Sequence, residues 1–224
     1  MNVSRKLFLS AALSSLMLAG CTSQVTEKSQ YSGFLPNYDG LVEVTTPSGG
    51  TAMRWVATGF NPSAYNTIVF NKLEMYPAPR PDERVNMETL QQIQQHTTTS
   101  VKNALSHKFK VVPNEASAPA GSRTLVMHAA MTGVNAATEG MKWYNVVPVS
   151  AVVAGVSAAT GERDQNTELF IEGDLVDAAS GKPVAKVVRK VFGKTLDNDS
   201  QAISADDFND AISKLTQDMQ TLLN

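Results

Sequence analysis

Two alternating stretches joined by a turn constrain the fold of this 224-residue chain more than any other feature. Residues 167–176 and 184–192 are both rich in β-branched and aliphatic side chains. The connection 177–183, DAASGKP, supplies the Asp, Ser, Gly and Pro residues that form turns. The pattern predicts an antiparallel β-hairpin.

The register of this hairpin is predicted from the side chains that would face one another. Opposite charges and apolar pairs both match if the two strands are aligned as Val176–Val184, Asp174–Lys186 and Leu169–Val191. This alignment places the charged pair on an outer face and the apolar pair inside. It also turns Arg189 inward opposite Ile171, which the sequence does not explain.

The remaining periodic segments predict an α+β fold. Alternation indicates strands at 65–76, 109–112 and 123–134, and helical periodicity indicates an Asn86-capped helix reaching about Lys108. A capping box at Ser204 and Asp207 precedes a second amphipathic helix that runs to about residue 222. We expect a single domain with a mixed or antiparallel sheet of about five strands and two amphipathic helices packed on one face.

The first twenty residues are typical of an export signal. Arg5 and Lys6 precede a twelve-residue, uncharged and mostly apolar run, 7–18. A membrane-spanning helix needs about 20 apolar residues, so this run is too short to span a bilayer. We therefore expect residues 1–20 to be removed.

The end of this segment, Leu18-Ala19-Gly20-Cys21, resembles the lipobox of bacterial lipoproteins. The resemblance implies cleavage between Gly20 and Cys21 and attachment of fatty acyl chains, such as palmitate, to Cys21. Two or three acyl chains hold a protein on a membrane almost permanently. Thr22 stands where an Asp would favour the inner membrane, so the resemblance implies a periplasm-facing outer-membrane protein. The alternative is an ordinary secretory signal with a cysteine at its cleavage site.

Residues 21–47 are predicted to be the lipidated cysteine, a flexible tether and an aromatic strap, and residues 48–224 the α+β periplasmic domain. The tether is polar, and Phe34 and Tyr38 in the strap lie among Gly, Pro and Asn. These aromatic side chains either fasten the strap to its own domain or contact a partner protein. The uncharged segment 143–160 either covers the sheet or meets a partner or the membrane surface.

Few residues in the chain point to chemistry. His96 and His107 are about 16 Å apart along one helix and cannot share a metal ion. A set of acidic residues on one strand is expected to pair with lysines of the next strand, and the residues are Glu168, Glu172, Asp174, Lys186 and Lys190. No catalytic motif occurs, so we expect no enzyme, no metal and no cofactor. The 19 basic and 21 acidic residues give no basic surface for nucleic acid.

Four segments together resemble an uncharacterised family of proteobacterial lipoproteins, catalogued as a domain of unknown function. They are YSGFLPNYDGL, RWV, YNTIVFNKLEMY and DLVDAASGKPVAKVVR. The resemblance implies a class and a location but no catalytic residues. Our leading hypothesis is a non-catalytic interaction or accessory module for an envelope protein. The alternatives are a carrier of a lipid or other apolar ligand and, least favoured, an envelope hydrolase.

Overall fold

The computed structural model describes residues 25–82, 84–138, 165–198 and 200–224. Within these ranges the secondary structure consists of eight strands, two α-helices and several single turns of 3-10 helix. The strands and helices are β1 (Val42–Thr45), β2 (Thr51–Val56), β3 (Thr67–Val69), β4 (Glu74–Met75), α1 (Met87–Ser106), β5 (Lys110–Val112), β6 (Thr124–Thr138), β7 (Gln165–Asp177), β8 (Lys182–Leu196) and α2 (Asn209–Leu223).

The strands form one mixed sheet in the order β1-β2-β8-β7-β6-β3-β5, with β4 also paired to β6. The pairs from β1 through β2, β8 and β7 to β6 are antiparallel. Strand β3 is parallel to both β5 and β6, and β4 is parallel to β6. The α+β class is confirmed, but the expected five strands become eight. The predicted strand 65–76 breaks into β3 and β4, and the short β1–β2 hairpin is absent from the prediction, because β1 falls in the segment 21–47 that is expected to be a tether and strap.

The β7–β8 hairpin has the predicted register over most of its length. Asp174 faces Lys186, and Leu169 faces Val191. The prediction is wrong at the turn, where Val176 faces Pro183 because the register shifts by one residue. Pro183 has no backbone N–H and cannot donate a hydrogen bond to β7. A register shift beside Pro183 therefore sacrifices fewer hydrogen bonds than a shift elsewhere in the hairpin would.

Both predicted helix starts are confirmed. The Asn86 side chain accepts a hydrogen bond from the Thr89 amide at 2.8 Å, and Ser204 and Asp207 form a capping box. That box opens a 3-10 turn, Ala205–Phe208, before α2 proper begins. The buried face of α1 contains six residues, namely Leu90, Ile93, Thr97, Val101, Ala104 and Leu105.

The central strands have two different faces. The helix face carries Leu169, Ile171 and Leu175 of β7, which belong to the hydrophobic core together with residues of α1 and α2. The opposite face, which we call the strap face, carries the alternate residues of β7, including Glu168 and Glu172. Within the described ranges, neither helix combines the length and the apolar character needed to cross a membrane.

Candidate functional site

The N-terminal segment crosses the strap face from β7 to β8. We call residues 31–41 the strap. It contacts β7 through Ser32 and Tyr38, then β8 through Asn37 and Asp39. Past these contacts the chain enters β1 at the edge of the sheet.

Glu172 is the centre of the first contact. Its side chain is 1% exposed, and its carboxylate accepts hydrogen bonds from the Tyr38 hydroxyl at 2.6 Å and the Ser32 amide at 2.7 Å. Burial, together with the hydrogen bond to Glu172 and its negative charge, raises the pKa of Tyr38 to about 12. Tyr38 is therefore a neutral donor at physiological pH.

Lys186 is the centre of the second contact. Its ammonium group donates to the Asn37 side-chain oxygen and to the Asp39 carbonyl, both at 2.7 Å, and lies 5.0 Å from the centre of the Trp55 ring. Gly40 has a positive φ of 77°, and a Cβ on it would come within 2.6 Å of Trp55. The strap thus lies directly on the sheet at this point.

The acidic residues of the strap face form only part of the predicted cross-strand pairs with lysine. The expected cross-strand ion pair forms between Glu168 and Lys190 at 3.4 Å. Asp174 lies opposite Lys186 on β8 and His128 on β6, and it contacts His128 at 2.8 Å instead of the lysine. The placement of Asp174 and Lys186 on an outer face is wrong, since they are only 7% and 6% exposed. The sequence alternation identifies this face, but it cannot show that a distant segment covers it.

Glu168 and Lys190 are buried with aromatic neighbours. The Lys190 ammonium lies 6.0 Å from the ring centre of Phe170 and 5.2 Å from that of Phe192. Burial raises the pKa of Glu168, although Lys190 opposes the shift. Among the described residues, one carboxylate oxygen of Glu168 has no hydrogen-bond partner.

The inward orientation predicted for Arg189 is explained by α2. Arg189 donates to Asp218 at 2.6 Å, and both side chains are 6% exposed. Asp218 also accepts from the Ser48 amide at 2.7 Å and the Ser48 hydroxyl at 2.6 Å. This carboxylate therefore joins α2, β8 and the β1–β2 turn.

The two aromatic residues singled out from the sequence both contact their own domain. Phe34 is half-buried and packs edge-on against Tyr76, with 5.6 Å between ring centres. Tyr38 is half-buried, stacks on Tyr31 at 4.5 Å and donates to Glu172. Of the two alternatives for Phe34 and Tyr38, these contacts agree with the one in which both side chains fasten the strap to its own domain. Sequence reasoning missed Trp55, which the strap covers.

Gly20, Cys21 and the segment 143–160 lie outside the described residues. The predicted tether overlaps the described chain from Val25 onward, where Thr26 is 3% exposed and Lys28–Gln30 form a 3-10 turn. Contact with the domain thus begins within five residues of Cys21 along the chain.

A cleft lies between the C-terminal ends of α1 and α2. Its volume is about 320 Å³, and its lining includes Leu105, Phe109, Met219 and Leu223. Lys108 donates to the Leu223 carbonyl at its rim. In the part of the chain that the structure describes, no three His, Cys, Asp or Glu side chains converge as metal ligands.

Comparison with known proteins identifies the family. Residues 30–219 match the family model described as "Protein of unknown function (DUF3313)". The chain belongs to this family. It is also 41% identical over 209 residues to the uncharacterized lipoprotein YdcL of Escherichia coli K12, covering 93% of this chain and 92% of the relative. The predicted membership in a family of proteobacterial lipoproteins is confirmed.

Two solved structures align more loosely with this DUF3313 protein. The PelC dodecamer from Paraburkholderia phytofirmans is 9% identical with a TM-score of 0.41, covering 75% of this chain and 96% of that one. A neuraminyllactose-binding hemagglutinin homolog from Helicobacter pylori is 11% identical with a TM-score of 0.42, covering 74% and 86%. Scores this low do not carry a function across.

Proposed function

We propose that this protein is held by acyl chains on Cys21 in the periplasmic leaflet of the outer membrane and binds another envelope protein without catalysing a reaction. The observation that carries the proposal is the Leu18-Ala19-Gly20-Cys21 motif in a chain 41% identical to a lipoprotein. Acyl chains are needed because the apolar run 7–18 is too short to span a bilayer.

The anchor is tested by membrane fractionation of cells that produce the full chain. Cys21→Ser should move the protein out of the membrane pellet or stop its processing, since Cys21 is the only cysteine. Thr22→Asp should move it from the outer- to the inner-membrane fraction, whereas the control Thr22→Ser should not. An unmodified thiol in the mature protein, shown by mass spectrometry, would contradict the anchor.

The surface proposed for the partner is the aromatic pair Phe34–Tyr76. It forms where the strap meets the end of β4, and Tyr76 is 38% exposed. Half-exposed aromatic side chains combine a large apolar area with few rotatable bonds, which suits them to binding hot spots. Tyr38, the other predicted contact residue, contributes by holding the strap through Glu172.

Photo-crosslinking in living cells tests this surface. A photoreactive amino acid at Phe34 or Tyr76 should give one discrete adduct with an envelope protein. Met87 provides the control, because it is 37% exposed and lies instead at the start of α1. Absence of adducts at Phe34 and Tyr76, or the same adducts at all three positions, would contradict the proposal.

The cleft between α1 and α2 favours a second candidate function, binding of a small lipid. Its volume of about 320 Å³ lies at the lower end of ligand sites. Ala104→Phe would fill it, because Ala104 is part of the lining. Native mass spectrometry of the detergent-solubilised protein with added oleate should then show a bound molecule on the wild type but not on Ala104→Phe. No bound oleate on either protein would reject this function.

A further inference from the structure

Within the part of the chain that the structure describes, strand β1 leaves one edge of the sheet open. It is the outermost strand beside β2, and Val42 is 59% exposed. The Thr46 amide donates to the Gly50 carbonyl at 2.8 Å, in the same register as Val44–Ala52 and Val42–Arg54. Because hydrogen-bonded pairs alternate along an antiparallel ladder, Val42 and Val44 bond β2, while Glu43 and Thr45 direct their backbone groups outward.

These outward groups have no backbone partner among the described residues. The strand is short and carries one charged residue, Glu43, and both features discourage pairing, but its four residues contain no proline, no lysine and no register shift that would block it. A second strand can therefore extend the sheet here.

We propose that β1 pairs antiparallel with β1 of a second copy of this chain. Glu43 then lies opposite Thr45 of the second copy, and the two Val44 residues face one another. Each Glu43–Thr45 pair forms two backbone hydrogen bonds. The alternative alignment with Glu43 opposite Glu43 brings like charges together and is disfavoured.

The symmetry of this pairing suits two molecules in one membrane. The two-fold axis of an antiparallel strand pair is perpendicular to the sheet, so both copies present their strap faces on the same side. The strap, which follows Cys21 in the chain, makes its contacts on that face. Both anchors can therefore enter one leaflet, a step that rests on the proposed lipidation of Cys21.

The interface is small. Stable dimers bury about 800 Å² per partner, which a four-residue edge does not reach by itself. Anchoring in a shared leaflet raises the effective concentration of the second copy without adding contacts. We therefore expect the dimer in the membrane rather than in dilute solution.

Cysteine crosslinking of the full chain in cells tests the register. In the proposed dimer the two Val44 Cα atoms are about 4.5 Å apart, within reach of a disulfide. The two Val42 residues are offset by four positions and lie about 14 Å apart, which is too far. Val44→Cys should give a dimer on non-reducing gels, and Val42→Cys should give at least about tenfold less, although Val42 is the more exposed side chain.

Two further variants separate the possible outcomes. Thr45→Pro removes an outward amide without breaking a β1–β2 hydrogen bond, so it should abolish the Val44→Cys dimer. The matched control Thr45→Ala keeps that amide and the dimer. Equal crosslinking at Val42 and Val44, no homodimer, or an adduct with a different protein would overturn the proposal.

The anchor is tested separately in the Val44→Cys background. Adding Cys21→Ser should weaken the dimer as the protein leaves the membrane. A dimer that persists with unchanged localisation would reject the anchor and retain the pairing.

Discussion

At the scale of single residues, the strap is held by charges that the sheet buries. Glu172 and Lys186 would each be costly to desolvate alone, and neither forms the expected cross-strand pair. Glu172 accepts from Ser32 and Tyr38, and Lys186 donates to Asn37 and Asp39. The strap therefore provides hydrogen bonds that water would otherwise provide.

Tyr38→Phe should destabilise the protein by about 1–3 kcal/mol, because it removes a hydrogen bond to a buried carboxylate and keeps the ring. Urea denaturation followed by circular dichroism measures the change. Tyr76→Phe is the control, because it preserves the ring contact with Phe34 and should change the free energy of unfolding by less than about 0.5 kcal/mol. Equal effects of the two substitutions would contradict the role of Glu172.

His128 should make stability depend on pH. Its hydrogen bond to Asp174, and the charge of that residue, raise its pKa above 6.5 despite partial burial. A raised pKa means that the folded state binds the proton more tightly, so this stabilisation is complete below pH 6.5 and is lost as pH rises through the folded-state pKa.

Thermal unfolding between pH 5.5 and 8.5 should therefore show a decline in wild-type stability that His128→Gln reduces. The side chain is 51% exposed, so the decline should be modest. Asn103→Gln, a substitution of an exposed residue of α1 that does not titrate, should leave the wild-type profile unchanged. Parallel profiles for wild type and His128→Gln would reject this assignment.

At the scale of elements, the sequence predicts local structure better than long-range contacts. The β7–β8 register follows from neighbouring charges and apolar pairs, and α1 follows from its cap and periodicity. The parallel pairing of β3 with β5 and β6 joins segments more than 40 residues apart, for which no local pattern exists.

The candidate site was predictable only in part, for the same reason. Aromatic residues in the strap indicate that it needs a surface to cover. The sequence separation of 134 residues between Tyr38 and Glu172 hides which surface it is.

Asp218 links α2 to the sheet and to the β1–β2 turn, so Asp218→Asn should be strongly destabilising. It would leave the buried Arg189 guanidinium without a counter-charge, a change that costs about 3–5 kcal/mol. Urea denaturation measures the loss. Asp210→Asn, on the exposed first turn of α2, is the control and should cost less than about 0.5 kcal/mol.

The Asp218–Arg189 pair also predicts how the stability of the wild-type protein changes at low pH. Burial raises the pKa of Asp218, but hydrogen bonds from Ser48 and Arg189 outweigh this effect and lower it below 3.8. A lowered pKa contributes stability above pH 3.8 that is lost as pH falls through the folded-state value. Asp218→Asn should remove this contribution, and an unchanged acid transition would contradict it.

At the scale of the whole molecule, the strap connects the proposed membrane anchor to the edge of the sheet. Three residues separate Cys21 from Val25, so the domain would lie within about 14 Å of the acylated cysteine. If residues 25–41 were released from the sheet, twenty residues instead of three would separate Cys21 from the first residue held by the domain, Val42. Contact of the strap with the sheet therefore determines how closely the domain is held.

Trypsin digestion of intact membranes should measure this contact through cleavage after Lys28, which is exposed but lies in a 3-10 turn next to the strap. Cleavage requires local opening, and its rate follows the free energy of that opening.

Asn37→Ala combined with Tyr38→Phe removes one hydrogen bond each to Lys186 and Glu172. Each such bond contributes about 1 kcal/mol or more, so release of a fragment beginning at Ser29 should accelerate at least about tenfold. Membranes that contain the Asp210→Asn protein should release this fragment at the wild-type rate. Equally fast release from wild type and the double variant would mean that residues before the strap move freely, and that the strap does not control the distance between domain and membrane.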